Sequence, residues 1–274
     1  MECDVGMNQA MHVTAGRWAV AASAIGLMAA VPSTAVRAGN VIELGYVVDV
    51  AGSTVLKASY RAEISGGSFE ASLFGKTSGV SNMFTGYKMN LSASGTVDGE
   101  RFIPGVYGND RKKKGKKAKS TDVTWQPGGG VTVSYSGEVQ PPPSAVASAL
   151  GKSTSDPLTA ILKMANSQQD KPCSGKYRVY DGKDVFDLAL AFRKDAGNAM
   201  ECKLTWTPVA GVAVDKGDTE VETYALTLGP VQLSSGKVLH VPLQVVGKTK
   251  GMTVTVSAAS VSVDGQQVSA QAGQ

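Results

Sequence analysis

Apolar and polar residues alternate in short runs from Val41 onward, and this alternation restricts the possible fold more than any other feature of the sequence. A period of two puts the apolar side chains of an extended segment on one side, which is typical of strands with one buried face. Gly, Asp and Asn separate the runs, as in turns between neighbouring strands. We therefore predict a mostly β protein, a mostly antiparallel meander with strands near 41–50, 54–64, 84–97, 120–126, 131–138, 174–181, 184–193, 199–208, 221–229, 237–246 and 252–263.

The segment from Tyr177 to Phe192 gives the clearest hairpin signal. Asp181-Gly182 suits the two positive-φ positions of a type I′ turn. This register predicts that Tyr177 faces Phe186. It also predicts one continuing buried face, formed by Leu188, Leu190 and Phe192.

Two irregularities are predicted near the end of the chain. Pro242 has no amide donor for a strand ladder, which favours an edge position or a bulge. The apolar phase changes between Val256 and Val261, and a bulge near Ala258-Ala259 would absorb the slip. In the preceding run the side chains expected on one buried face are Leu239, Val241, Leu243 and Val245.

One stretch departs from the β pattern. Asp156 can cap a helix and Pro157 fits its first position, so we predict one docked helix near 156–167. The segment 78–84 suits either a helical turn or a strand bend. The apolar face of the predicted helix consists of Leu158, Ile161, Leu162 and Ala165.

The first 38 residues have the features of a cleavable secretory signal peptide. Arg17 precedes an apolar stretch, 18–31, that is too short to span a bilayer, and the small residues before position 39 predict cleavage after Ala38. We expect residues 39–274 to form a single β-rich domain without a lipid anchor. The start codon stays open between Met1, Met7 and Met11.

Export determines how many of the three cysteines the mature chain keeps and whether they form a disulfide. Cys3 leaves with the signal peptide, so the mature chain keeps Cys173 and Cys202. Two cysteines in an oxidising compartment predict one structural disulfide. Closing a loop of about 30 residues should stabilise the fold by about 3–4 kcal/mol in the chain-entropy description. A catalytic redox pair is usually a closely spaced Cys-x-x-Cys, which this pair is not.

The sharpest local signal is a basic run in which seven of nine positions carry a positive charge. Such a run repels itself and should form a mobile loop. It is either a solubilising hairpin tip or a site that attracts anionic lipid or polymer. Nucleic acid is disfavoured, because the run has no aromatic residues for base stacking. The basic residues are Arg111, Lys112, Lys113, Lys114, Lys116, Lys117 and Lys119.

Catalytic and metal-binding signals are weak, so we predict no enzyme, no cofactor and no metal site. His240 is the sole histidine of the mature chain and is expected to be an exposed strand residue. Ser234-Ser235-Gly236-Lys237 matches a Ser-x-x-Lys pattern without its companion motifs. Asp184 and Asp187 should point to opposite faces of one strand. The aromatic residues that either line a ligand cavity or belong to the core are Tyr60, Trp125, Tyr177 and Trp206.

The order of several short motifs resembles a known family, catalogued as domain of unknown function 3108. The resemblance covers roughly 41–263 and includes a tyrosine in the first strand, Tyr46, and an Ile103-Pro104 element. It implies an exported envelope protein of Gram-negative bacteria with a curved antiparallel sheet or an incomplete (half-)barrel, and no established activity. The run 111–119 is longer and more basic than the family suggests. The motifs are Asp156-Pro157-Leu158, Pro172-Cys173, Val179-Tyr180-Asp181-Gly182-Lys183, Phe186-Asp187-Leu188, Cys202 and Pro208-Val209-Ala210-Gly211.

Two functions follow as expectations. The first is a non-catalytic, monomeric periplasmic protein that supports the envelope by binding a partner, either an envelope protein or an anionic lipid or polymer at the membrane periphery. The second is a carrier of a lipid or other hydrophobic ligand in a half-barrel cavity. Large side chains filling the concave face would favour the first function, and small ones that leave a cavity would favour the second.

Overall fold

One antiparallel sheet contains every strand of the computed structural model, which describes residues 40–79, 82, 86–127, 130–167, 173–249 and 251–268. The mostly β prediction is therefore confirmed. The strands are β1 (Asn40–Val50), β2 (Ser53–Ser65), β3 (Ser68–Thr77), β4 (Lys88–Asp98), β5 (Arg101–Lys112), β6 (Thr121–Trp125), β7 (Val131–Tyr135), β8 (Glu138–Gln140), β9 (Lys176–Tyr180), β10 (Asp184–Ala196), β11 (Ala199–Gly211), β12 (Glu222–Gln232), β13 (Val238–Thr249), β14 (Met252–Val263) and β15 (Gln266–Gln267).

Two meandering arms make up the sheet, and they meet where the first long strand pairs with the last. One arm runs from β1 through β2 to β8, and the other runs from β14 through β13 to β9. The β1–β14 ladder extends from the pair Ile42–Val263 to the pair Val50–Val254. The short β15 pairs with β14.

The sheet curls so strongly that its two ends overlap, although no ladder closes it into a barrel. The hydroxyl of Tyr135 in β7 donates to the carbonyl oxygen of Gly182 in the β9–β10 turn. A side chain at Gly182 would meet Thr121 of β6. The buried cluster that contains Tyr180 also includes Val123 of β6. The β9–β10 hairpin therefore packs against β6 and β7 without extending them.

Three helices accompany the sheet in the described residues: α1 (Ser144–Ala149), α2 (Pro157–Ser167) and α3 (Val212–Asp215). Helix α2 contacts β3, β4 and β5 of one arm and β9 and β13 of the other, so it lies in the concave face. Its apolar face is buried, with Leu158 and Leu162 about as inaccessible as the inner strand residues. The predicted docked helix is confirmed.

The start of α2 follows the predicted capping chemistry. Asp156 accepts a hydrogen bond from the backbone N–H of Thr159 at 2.8 Å, and Pro157 is the first helical residue. This satisfies one of the free amides of the first turn. Asp156 is completely buried, and this burial raises the pKa of its carboxyl group against the opposing effect of the bonds from Thr159.

Most predicted strands occur where the alternation placed them, but β3, β5 and the short β8 and β15 were missed. Gly75 interrupts the pattern of β3, and β5 contains Pro104, Gly105 and Gly108. The ladder with β4 shifts register here, with Gly95 opposite Pro104 and Ser94 opposite Val106, so Gly105 is the extra residue of a β-bulge. A bulge tolerates proline inside a sheet.

The β9–β10 hairpin exists, but its predicted register was wrong. Tyr177 lies opposite Leu188, not Phe186. Gly182 has a φ of +92° whereas Asp181 has no positive φ, so the turn is centred one residue later than predicted. Phe192 is 50% exposed, so the predicted buried face ends at Leu190, which is buried in the cluster with the disulfide.

The predicted irregularities in the last strands are confirmed. The β12–β13 register shifts between the pairs Leu228–Pro242 and Thr227–Gln244. The β1–β14 register shifts so that Ala259 is the extra residue. As predicted, Leu239, Val241 and Leu243 are buried.

The predicted disulfide is present. Cys173 and Cys202 are bonded, with 5.3 Å between their Cα atoms, and both are buried. The bond ties the segment after α2 to β11. The signal peptide 1–38 lies outside the described residues, as does most of the undecided segment 78–84.

Replacing Leu162 with Asp tests whether α2 is essential to the packing of the sheet. The carboxylate would be buried without a partner, so we expect the free energy of unfolding to fall by about 3 kcal/mol or more. Val139→Asp is the control, because Val139 is 69% exposed. Chemical denaturation checks both variants, and equal unfolding midpoints would contradict the docking of α2.

Candidate functional site

A row of four lysines crosses the convex face of the sheet. Lys57 lies directly opposite Lys76, Lys76 opposite Lys88, and Lys88 opposite Lys112. Residues directly opposite on neighbouring strands project to the same face, and like charges in such pairs are destabilising. All four side chains are exposed. The sequence does not show this row, because its members are far apart along the chain.

The basic run predicted from the sequence continues this row at β5. Arg111 and Lys112 are the last residues of β5, and Arg111 exchanges backbone hydrogen bonds of 2.8 and 2.9 Å with Lys119. A turn follows, in which the amide of Lys116 donates to Lys113. The run is therefore a hairpin extension of β5 whose base is closed by one bridge between Arg111 and Lys119, and its predicted mobility stays a prediction. We call the row and this hairpin together the basic surface; it consists of Lys57, Lys76, Lys88, Lys112, Lys113, Lys114, Lys116, Lys117 and Lys119.

The tip of the hairpin packs on the start of β4. A side chain at Gly86 would meet the Cβ atom of Lys114 at 2.8 Å. Gly86 has a φ of +47°, which also favours glycine. The hairpin therefore has a defined position beside the lysine row.

No ion pair neutralises the basic surface within the described residues. The ion pairs of the protein involve other cations, such as Arg61 with Glu43 and Arg178 with Asp187. An acidic residue, Asp110, lies in the neighbouring row opposite Asn90. The positive charge is thus concentrated and largely uncompensated.

An open groove of about 510 Å³ lies within the basic surface. Its walls combine cations, polar groups and one aromatic ring, since Phe74 is 43% exposed. Such a groove can hold an anionic group against the lysines and an apolar group against the ring. The lining residues include Phe74, Lys88, Asn90, Asp110, Arg111, Lys112, Lys119 and Ser120.

The aspartates of the β9–β10 hairpin have structural partners. Asp187 is buried and bonds Arg178 through both oxygens, at 2.8 and 2.9 Å. Asp181 accepts the amides of Lys183 and Asp184 in the turn. Hydrogen bonds from Arg178, opposed by burial, hold the pKa of Asp187 below its usual range. These carboxylates stabilise the hairpin and do not converge on a reaction site.

His240 is half-buried, not exposed as predicted. Burial lowers the pKa of its imidazole, and its Nδ1 atom is buried without a hydrogen-bond partner. Within the described residues no cluster of His, Cys, Asp and Glu side chains could hold a metal ion.

The four aromatic residues proposed for a cavity do not come together. Tyr60 is buried in the main core and Trp125 packs against its edge. Tyr177 packs beside the disulfide, and Trp206 lies 5.8 Å from the ring of Phe186. They do not form one common pocket.

Comparisons with known proteins give a distant structural likeness. No family model and no curated protein matches the chain. A β-barrel-like protein of domain of unknown function DUF1849 from Brucella abortus is similar in structure, with 8% identity and a TM-score of 0.47. The match covers 82% of this chain and 98% of that one. Membership of domain of unknown function 3108 stays a prediction. None of the helices described is long and apolar enough to cross a membrane.

Replacing Asp187 with Asn should destabilise the protein in a pH-dependent way. Loss of the charge leaves Arg178 without its partner and should cost on the order of 3 kcal/mol at pH 7. The folded-state pKa of Asp187 is depressed, so its contribution is full above the unfolded value of about 3.9 and is lost as the pH falls through the folded value. The free energy of unfolding of the variant, measured by denaturation, should therefore lie far below that of wild type at pH 7 and closer to it at about pH 2.5.

The matched control is Asp195→Asn, since Asp195 lies on the same strand and is exposed. It should change stability little at either pH. If Asp187→Asn lowered the free energy of unfolding by the same amount at both pH values, a contribution from the charged carboxylate would be contradicted.

Proposed function

We propose that this chain is an exported, non-catalytic protein of the periplasm that supports the cell envelope by holding to an anionic membrane surface. The basic surface makes the contact. The protein acts as a peripheral, monomeric binding module and carries no catalytic group.

The observation that carries this proposal is the lysine row beside the basic hairpin. A hairpin tip that only increases solubility would not require further basic residues on the neighbouring strands. Here the positive charge extends across β2, β3 and β4 through Lys57, Lys76 and Lys88, where like charges lie directly opposite one another. That arrangement is unfavourable in the free protein and becomes favourable when an anionic partner neutralises it.

The shape of the basic surface suits a membrane better than a small ligand. Neighbouring strands are about 4.8 Å apart, so the row spans roughly 14 Å of sheet. Each basic residue near an anionic membrane adds about 1 kcal/mol of attraction. Several such contacts give a reversible, salt-sensitive association.

Export to the periplasm is supported by the disulfide and by the features of residues 1–38. Disulfides persist in oxidising compartments and are rare in the cytosol. The Cys173–Cys202 bond is buried and joins two parts of the core, so its role is structural.

Removing the positive charge of the hairpin tests the membrane contact. The protein with Gln at Lys112, Lys113, Lys114, Lys116, Lys117 and Lys119 should no longer sediment with vesicles of phosphatidylglycerol and phosphatidylcholine. Wild-type binding should fall steeply as salt rises to 0.15 M, where the Debye length is about 8 Å. These side chains are exposed, so the unfolding midpoint should barely change.

A second pair of variants distinguishes the effect of the lysine row on binding from the effect of the protein's net charge. Lys57, Lys76 and Lys88 changed to Gln should weaken vesicle binding at least about tenfold. The same change at three exposed lysines elsewhere, Lys152, Lys203 and Lys216, removes the same charge and should have little effect. If the variant with Gln at Lys57, Lys76 and Lys88 still bound vesicles, or if wild-type binding did not depend on salt, the hairpin would be only a solubilising tip. Binding to soluble polyphosphate but not to vesicles would assign the surface to a polymer.

Fusing residues 1–38 to alkaline phosphatase lacking its own leader tests export. The enzyme matures only where its disulfides form, so we expect activity in the periplasmic fraction. The N-terminal sequence of the secreted protein should begin at Gly39. Arg17→Glu is the control, because it removes the charge that precedes the apolar stretch. An inactive fusion, or one that stays in the cytosol, would overturn the export proposal.

A further inference from the structure

Backbone hydrogen bonds connect the walls of the groove within the basic surface. Arg111, near the end of β5, exchanges bonds of 2.8 and 2.9 Å with Lys119 on the returning side of the hairpin. The carbonyl oxygen of the next residue, Ser120, accepts the amide of Ser136 in the β7–β8 turn at 3.1 Å. All four residues line the groove. The end of β5, the hairpin and this turn are therefore joined to one another around it.

The lining of the groove concentrates positive charge in a small volume. Four cations and one carboxylate, that of Asp110, line it, so the lining has a net charge of +3. Lys88 lies directly opposite Lys112, which places their Cβ atoms about 5 Å apart. No ion pair neutralises any of the four cations in the part of the chain that the structure describes. An anion in the groove would relieve this repulsion. The cations are Lys88, Arg111, Lys112 and Lys119.

Neutral donors accompany the cations. The hydroxyl groups of Ser120 and Ser136 and the side-chain amide of Asn90 also belong to the lining. A phosphate monoester carries a charge of about −1.5 to −2 at pH 7 and has three strong acceptor oxygens. A phosphodiester carries a single charge and has one fewer terminal oxygen. The monoester therefore matches both the charge and the number of donors of this groove better than the diester does.

One wall of the groove is apolar. It consists of Phe74, Met89 and Ala118, and Phe74 is 43% exposed. A free phosphate ester would leave this wall in contact with water. The first methylene groups of a lipid chain would cover it, and the burial of apolar surface is favourable. The apolar wall therefore favours a lipid headgroup over a soluble phosphate ester.

We propose that this groove holds the phosphate monoester headgroup of a membrane lipid, with the phosphate among the four cations and the start of the lipid chain against Phe74. The inference rests on the proposed membrane contact and adds a headgroup preference to it. The volume of about 510 Å³ is within the usual range of small-ligand sites, roughly 300–1,000 Å³. It accommodates a headgroup and leaves the acyl chains in the bilayer. Phosphatidic acid is the simplest lipid of this class.

Vesicle binding at matched surface charge tests the headgroup preference. Vesicles of phosphatidic acid and of phosphatidylglycerol, each in phosphatidylcholine, are adjusted to equal zeta potential, so that the general attraction to the basic surface is the same. Wild type should bind the phosphatidic acid vesicles at least about fivefold more tightly at pH 7.5. The preference should shrink at pH 5.5, because the second pKa of a phosphate monoester is about 6. No histidine is among the described residues that line the groove, so this change would come from the lipid.

Two sets of four replacements by Gln distinguish the groove from the rest of the basic surface. Both sets remove the same charge from the same surface, so both should weaken binding to phosphatidylglycerol vesicles by a similar factor. Only the groove set should abolish the preference for phosphatidic acid. The groove set changes Lys88, Arg111, Lys112 and Lys119. The control set changes basic residues that do not line the groove, namely Lys57, Lys76, Lys113 and Lys116.

A conservative variant tests the contact of the guanidinium. Arg111→Lys keeps the charge but loses the planar pair of donors that suits a phosphate. It should lower the preference for phosphatidic acid and leave binding to phosphatidylglycerol vesicles unchanged. This result would not follow from a loss of folding or of net charge.

Calorimetric titration distinguishes a lipid from a free phosphate ester. Dihexanoyl phosphatidic acid, below its micelle concentration, should bind at least about tenfold more tightly than glycerol 3-phosphate, because its first methylene groups contact Phe74. Phe74→Ala should remove most of this difference. Phe192→Ala is the matched control, because Phe192 is a similarly exposed ring outside the groove, at 50%, and its loss should leave the difference unchanged.

The failure of this inference is distinguishable from that of the proposed function. Equal affinity of wild type for the two kinds of vesicle would overturn the headgroup preference, as would its loss in both sets of variants. Equal affinity for dihexanoyl phosphatidic acid and glycerol 3-phosphate would overturn the assignment to a lipid. If wild type bound neither kind of vesicle, the proposed membrane contact itself would be wrong.

Discussion

The ladder between β1 and β14 is the constraint on which the rest of the structure depends. It joins the first and the last long strand of the chain, and every other strand pairs with a sequence neighbour. Without it the two arms would be separate meanders that meet only through α2 and through the packing of the β9–β10 hairpin against β6 and β7. Pairing across so long a separation carries a large loop-closure entropy, which the buried inner face must offset. Proteins dominated by such contacts fold slowly, so we expect slow folding here.

The same strands present two different surfaces because side chains alternate across the sheet. In β2, Lys57 belongs to the convex basic surface, while its neighbour Leu56 faces the concave side. One surface attracts anionic groups from outside and the other offers apolar contact within the curl. The two faces can thus be changed separately by mutation, although their residues are adjacent in the sequence.

The sequence predicted those parts of the fold that depend on local pattern. Alternation located most strands, Asp156 and Pro157 located α2, and Pro242 and Ala258-Ala259 marked bulges. It missed β5, because Pro104 and the nearby glycines resemble a loop until the bulge opposite Gly95 is known. The basic run was visible along the chain. The lysine row was not, because the register that brings Lys57, Lys76 and Lys88 together is a tertiary property. The half-buried end of the concave face, at Val48 and Val50, was also hidden, since alternation shows which side chains face inward but not how far the helix covers them.

The overlap of the two sheet ends has a consequence for the protein at high concentration. A large open sheet offers two edges with free amides and carbonyls, and such edges pair readily with other chains. Here the β9 edge is bridged by Ser155, whose backbone bonds Arg178 and Tyr180, and it lies against β6 and β7. The other edge ends in the three-residue β8, followed by Pro141, Pro142 and Pro143, which have no amides to donate. The curl and the prolines thus hide the backbone that would otherwise template edge-to-edge aggregation.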